Sequence, residues 1–137
     1  MKVKIATISF GVLFFIIISS LTSPAQIKRV DVRFKTGSNS STYSNSVTGY
    51  GTVDFYLRAN GGQQMSVKLN SSNTFLYFNV LRGSGDGEIV ADDAREITEW
   101  SGELPDNGTY VVRVFLVRAE ARRNKRPVTF KVNIGIK

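Results

Sequence analysis

The chain has 137 residues, 18 Lys+Arg against 11 Asp+Glu, and neither histidine nor cysteine. Ser-His-Asp, Cys-His and other imidazole acid–base sites are therefore excluded, as are zinc centres of the Cys/His type. Carboxylate, Lys, Tyr or Ser chemistry is all that remains to an enzyme, in a chain of single-domain length, and the composition favours a small binding protein without catalysis or cofactor.

In chain order, the first segment reads as a leader. Lys2 and Lys4 form a positive n-region, Ile5 to Ile18 is an almost unbroken apolar run, and Ser23-Pro24-Ala25 supplies small residues before a cut. The apolar run is shorter than the roughly 20 residues of a spanning helix, and no cysteine follows to carry a lipid. A signal peptide over 1–25 and one exported domain over 26–137 are expected, with no membrane attachment after cleavage. Removing Lys2 and Lys4 leaves 16 basic residues against 11 acidic, a net charge of +5. An exported chain without disulfides suits a bacterial periplasm and is stabilised by its core alone.

Apolar residues then recur at every second position. Val30, Val32 and Phe34 alternate with Asp31, Arg33 and Lys35; Val53, Phe55 and Leu57 with Asp54 and Tyr56; Met65, Val67 and Leu69 with Ser66 and Lys68. Phe75 to Leu81, Tyr110 to Val117 and the alternation from Val128 to Ile136 complete the set, with turn residues at Asn60-Gly61-Gly62, Gly83 to Gly87 and Pro105 to Gly108. This pattern predicts an all-β fold of about seven to eight short strands, an antiparallel sandwich or barrel. Only Asp92 to Thr98 has the character of a helical turn or two.

Charge is segregated along the chain. Between Asp86 and Asp106 stand eight carboxylates and one arginine; from Tyr110 onward stand eight basic residues and one acid, Glu120. The basic focus runs from Arg118 to Arg126, between the last two predicted strands, as a hairpin connection longer than a tight turn requires. Arg118 and Arg122 are four apart, so any helical turn there sets both guanidiniums on one side, where they suit carboxylate or phosphate. Nucleic acid is the usual partner of such a stretch, but an exported chain rarely meets it and none is expected. In Gly49-Tyr50-Gly51, glycine on both sides lets the ring stand clear of the backbone. Gly83 to Glu88 with Asp92 and Asp93 has oxygens for calcium but not the EF-hand spacing, and Trp100 reads as a core anchor.

These segments carry a resemblance. The tail from Tyr110 to Lys125, with its Arg-x-x-x-Arg-x-Asn-Lys loop over 118–125, and Phe130 to Lys137 resemble the periplasmic inhibitors of g-type lysozyme. So do Val32 to Gly37, Ser41-Thr42-Tyr43-Ser44 and Gly49-Tyr50. The likeness spans Val30 to Lys137, close at both ends and loose between Ser71 and Asp106. It implies an exported β-sandwich that occupies the groove of a g-type lysozyme, and by position it places the lysozyme-binding residues at Tyr50, Arg118 and Arg122. Where that family has Tyr-Ser-Gly, this chain has Tyr43-Ser44-Asn45. A second resemblance, on Leu57 to Gln63, is to the pre-peptidase C-terminal sandwich domains; it implies a carbohydrate or cell-wall module using Tyr43, Tyr50, Tyr56 and Trp100.

Overall fold

A computed structural model of the chain describes residues 25–91 and 97–137. The expected leader and most of the expected helical turn at 92–98 lie outside the described residues. Within them are eight strands: β1 (Ile27–Asp31), β2 (Ser40–Val47), β3 (Thr52–Ala59), β4 (Gln64–Asn70), β5 (Leu76–Arg82), β6 (Glu99–Glu103), β7 (Gly108–Leu116) and β8 (Val128–Ile136). One helix, α1 (Arg118–Arg123), interrupts them. No helix among the described residues is long and apolar enough to cross a membrane.

The strands form two four-stranded sheets, β1-β3-β7-β5 and β2-β8-β4-β6. Odd strands make one sheet and even strands the other, so every connection crosses between sheets and none is a hairpin. The expected hairpin at 118–126 is thus corrected: β7 and β8 belong to different sheets, and the basic segment is the bridge between them. All pairings are antiparallel except β1 with β3, which run parallel with Ile27 opposite Thr52.

Period-2 alternation sends Val53, Phe55 and Leu57, with Phe78, Val112, Met65, Val67 and Ile134, into the space between the sheets. Phe55 sits at the centre, its ring 5.5 Å from Tyr43 and 6.2 Å from Phe130. Burying one such phenylalanine is worth about 2–3 kcal/mol. Tyr110 is also fully buried; its hydroxyl donates to the Asp106 carbonyl at 2.6 Å, bonding back across the turn as the tyrosine corner of a sandwich does.

Two strands differ from the periodicity. Pairing of the first strand ends at Asp31, although Val32 and Phe34 still pack against the core. The polar run Ser40–Val47, which shows no apolar alternation, is β2, an edge strand paired along its length with β8. Its inward residues include Tyr43 and Val47, which is enough to seat it. Trp100 lies on β6, partly buried against the core as expected.

The outer face of the β3–β7 sheet holds a buried ion pair. Asp54 and Arg113 are cross-strand partners, joined bidentately at 2.8 and 2.7 Å, with the Asp54 side chain only 1% exposed. The Asp54 hydrogen bond raises the Arg113 pKa above its already high ordinary value. The glycine-rich 83–87 segment covers the pair, for Gly85 has a φ of +93° and a Cβ there would stand 3.2 Å from both Arg113 and the Tyr56 hydroxyl.

Candidate functional site

Three connections converge at one end of the sandwich: 48–51 between β2 and β3, 71–75 between β4 and β5, and 117–127 with α1. Their meeting follows from strand direction, since β2 and β4 end there, β3 and β5 begin there, and β7 hands over to β8. The turns at 60–63 and 104–107 lie at the other end, bound to one another through Gly62 and Leu104.

Glu120, the lone acid of the basic segment, organises this end. Its side chain is 7% exposed and accepts four contacts: Arg123 at 2.8 Å through Nε and 2.7 Å through Nη2, Asn124 at 3.1 Å and Asn73 at 3.2 Å. The Arg123 hydrogen bond, then those of Asn124 and Asn73, hold the Glu120 carboxyl below the ordinary carboxylate range. Asn73 is fixed in turn, because Phe75 N–H donates to its Oδ1 at 2.8 Å and Ser71 Oγ donates to the Thr129 carbonyl at 2.8 Å. Val117 N–H closes the arrangement on the Phe75 carbonyl. A helix of six residues is too short to hold itself in water; here Ala121 and Glu120 are buried beneath it and the neighbouring connections brace it.

The Tyr50 connection packs on the same helix. Gly49 has a φ of +55°, and a Cβ there would lie 3.6 Å from the Ala121 carbonyl; Gly51 N–H donates to the Thr48 carbonyl, and a Cβ at Gly51 would come within 3.0 Å of that oxygen. Gly49 is therefore required by its left-handed conformation and Gly51 by close approach to the Thr48 carbonyl. Tyr50 is left half exposed, with Lys125 Nζ 6.0 Å from its ring centroid.

At about 100° per residue, burial of Glu120 and Ala121 sets Arg118 and Arg122 on the flank beside Ala121, and Arg123 on the flank of Glu120. Arg118 and Arg122 are exposed, and no ion pair is formed by either among the described residues. Arg123 is different. It is committed to Glu120 and lies 5.3 Å over the Phe75 ring. The structure thus places the connections that carry Tyr50, Arg118 and Arg122 at one end of the sandwich, and adds Glu120, Asn73 and Phe75, which hydrophobic alternation does not single out. The available signal was the Glu120–Arg123 spacing of three on a helix.

Other candidates are placed elsewhere. Tyr43 points between the sheets, its hydroxyl accepting from Arg33 N–H at 2.8 Å, and Tyr56 lies under Arg29 at 3.9 Å. With Trp100 packed on the core, Tyr50 is the one of those four aromatics that stands clear. Asp92 and Asp93 fall outside the described residues, and no group of three or more acidic, His or Cys side chains able to hold a metal occurs among the described residues. A shallow groove of about 590 Å³, lined by Ser44, Ser46, Ser71, Thr129 and Lys131 among others, lies on the outer face of the β2–β8 sheet.

No protein-family profile matches the chain. It is 33% identical over 141 residues, 97% of each chain, to the inhibitor of g-type lysozyme of Escherichia coli K12. Among solved structures it is similar to a periplasmic inhibitor of g-type lysozyme from Aeromonas hydrophila, at TM-score 0.73 and 32% identity over 83% of this chain and 100% of that one. The Salmonella Typhimurium counterpart gives 0.64 and 30% over 80% and 98%. The pre-peptidase C-terminal domain of a Bacillus anthracis collagenase, at 0.53 and 12% identity over 84% of this chain and 98% of that one, shares the fold.

Proposed function

Since this chain belongs to the family of g-type lysozyme inhibitors, we propose that it acts in the periplasm, after loss of its leader, by closing the substrate groove of a g-type lysozyme with Tyr50, Arg118 and Arg122. The observation that carries this reading is the braced helix. Glu120 neutralises Arg123 and fixes α1, while Arg118 and Arg122 on the other flank face solvent without acidic partners among the described residues. The backbone that carries these guanidiniums is fixed before docking, so only their side chains remain to be ordered.

A muramidase groove supplies the complementary charge, because glycoside hydrolysis uses carboxylates and one of them acts as general acid. Arg118 and Arg122 form charge-assisted bonds with such carboxylates and Tyr50 packs on the groove wall. The polysaccharide is then excluded, and the acid is kept ionised and unable to protonate the leaving group. No bond is made or broken in the inhibitor, and no cofactor is used.

The test is a lysis assay with g-, c- and i-type lysozymes, in which g-type activity falls. Arg118→Ala or Arg122→Ala should weaken inhibition by about 2–4 kcal/mol, since each leaves a groove carboxylate buried and unpaired. Lys at either position should restore only part, lacking the planar fork. Small, equal losses at Arg118, Arg122 and Arg126 would reduce the helix to a diffuse positive patch and refute the reading.

A further inference from the structure

A standard interface covers about 800 Å² on each partner, more than Tyr50, Arg118 and Arg122 present, so the contact surface must continue past α1. Two surfaces adjoin it. On the β2–β8 side is the groove of serines, Thr129 and Lys131. On the other side is the loop-proximal end of the β3–β7 sheet, where the register sets Ile27, Thr52, Phe115 and Tyr77 in one cross-strand row. Phe75 stands two residues before Tyr77 on the same face, 42% exposed, and Ile27 is 61% exposed. Phe115 and Tyr77 are half-buried. Further along this face Gly85 lies over Asp54, Arg113 and Tyr56, and Ile89 bridges Leu81 on β5, the end strand of the sheet. Interface cores are enriched in aromatic residues and Arg and depleted in Ser and Lys, and Arg123, stacked over Phe75, joins the aromatic row directly to the helix.

We infer that the lysozyme-binding surface extends from α1 across Arg123 onto an aromatic shelf made by Phe75, Tyr77 and Phe115, which receives the rim of the lysozyme groove. The inference rests on the function proposed above. The shelf adds an apolar contact that excludes water beside the arginines, and so governs residence time more than encounter.

Binding kinetics of the exported protein with a g-type lysozyme test it. Phe75→Ala and Tyr77→Ala should each speed dissociation roughly tenfold or more, with association rate and melting temperature close to the parent's. Ser46→Ala and Lys131→Ala, in the polar groove, should dissociate as the parent does. Unchanged dissociation in the Phe75 and Tyr77 variants, with Tyr50→Ala and Arg118→Ala both weakened, would overturn the shelf and leave the proposed function standing. A parent protein that binds no g-type lysozyme would overturn both. Should the variants lose thermal stability, hydroxyl-radical footprinting of the unaltered complex decides: shielding of Phe75 and Tyr77 supports the shelf, and unchanged reactivity overturns it. Concentration-dependent dimers abolished by Phe75→Ala, with lysozyme binding intact, would assign the row to self-association and overturn it as well.

Discussion

Glu120 shows how one buried side chain decides the character of its neighbours. Arg122 and Arg123 are adjacent and chemically identical, yet the carboxylate takes up Arg123 and leaves Arg122 to solvent. Because the Glu120 pKa is lowered in the folded chain, its contribution to stability is present above the unfolded-chain value near 4.5 and is lost as pH falls through the depressed value. A carbon-detected NMR titration should therefore find Glu120 ionised at a pH where exposed glutamates are already protonated, with the α1 amide signals moving only when Glu120 itself titrates. A midpoint at or above the ordinary value would mean that the brace does not exist in solution.

Asp54 and Arg113 make the corresponding point for a pair of strands. They tie β3 to β7 on the outer face, beneath the glycine-rich 83–87 cover. Arg113→Ala should destabilise the fold by about 3–5 kcal/mol in denaturant titrations, since it leaves a buried carboxylate unpaired, whereas Asp54→Leu with Arg113→Met should recover most of that loss. A fully additive double variant would contradict the pairing. The same pair marks where hydrophobic alternation was readable from sequence. β3, β4, β7 and β8 carry three or more inward apolar residues each and were visible. β2 offers Ser41 and Asn45 at inward positions, and β6 offers only Trp100 between glutamates, so neither showed the pattern. Periodicity reports burial, not backbone pairing: Val32 and Phe34 keep alternating past the end of β1. At the site, residue types were legible at Tyr50, Arg118 and Arg122. That their connections share one end of the sandwich was not, because it depends on the chain changing sheets at every connection.

Charge segregated along the chain is segregated in space in part. Glu103, and Asp106 paired with Arg82, lie at the end opposite α1, and the domain over 26–137, with a net charge of +5, should meet a partner with its α1 end leading. Raising ionic strength from about 0.05 to 0.5 M should slow association with lysozyme several-fold and alter dissociation less; a salt-independent association rate would remove steering from the account. Mass spectrometry of the periplasmic form should find Gln26 as the first residue, and Met1 retained in a membrane fraction would contradict leader removal. The parallel pairing of β1 with β3 gives the molecule a direction of use. Because β1 runs with β3, the Gln26 carbonyl accepts from Thr52 N–H beside Gly51, whereas Lys137 pairs with Gln64 at the far end. Anything fused ahead of Gln26 leaves the fold next to Tyr50 and shades it, while a tether on Lys137 points away. A sensor surface coated through the carboxyl terminus should capture lysozyme at full capacity, and one coated through the amino terminus should not.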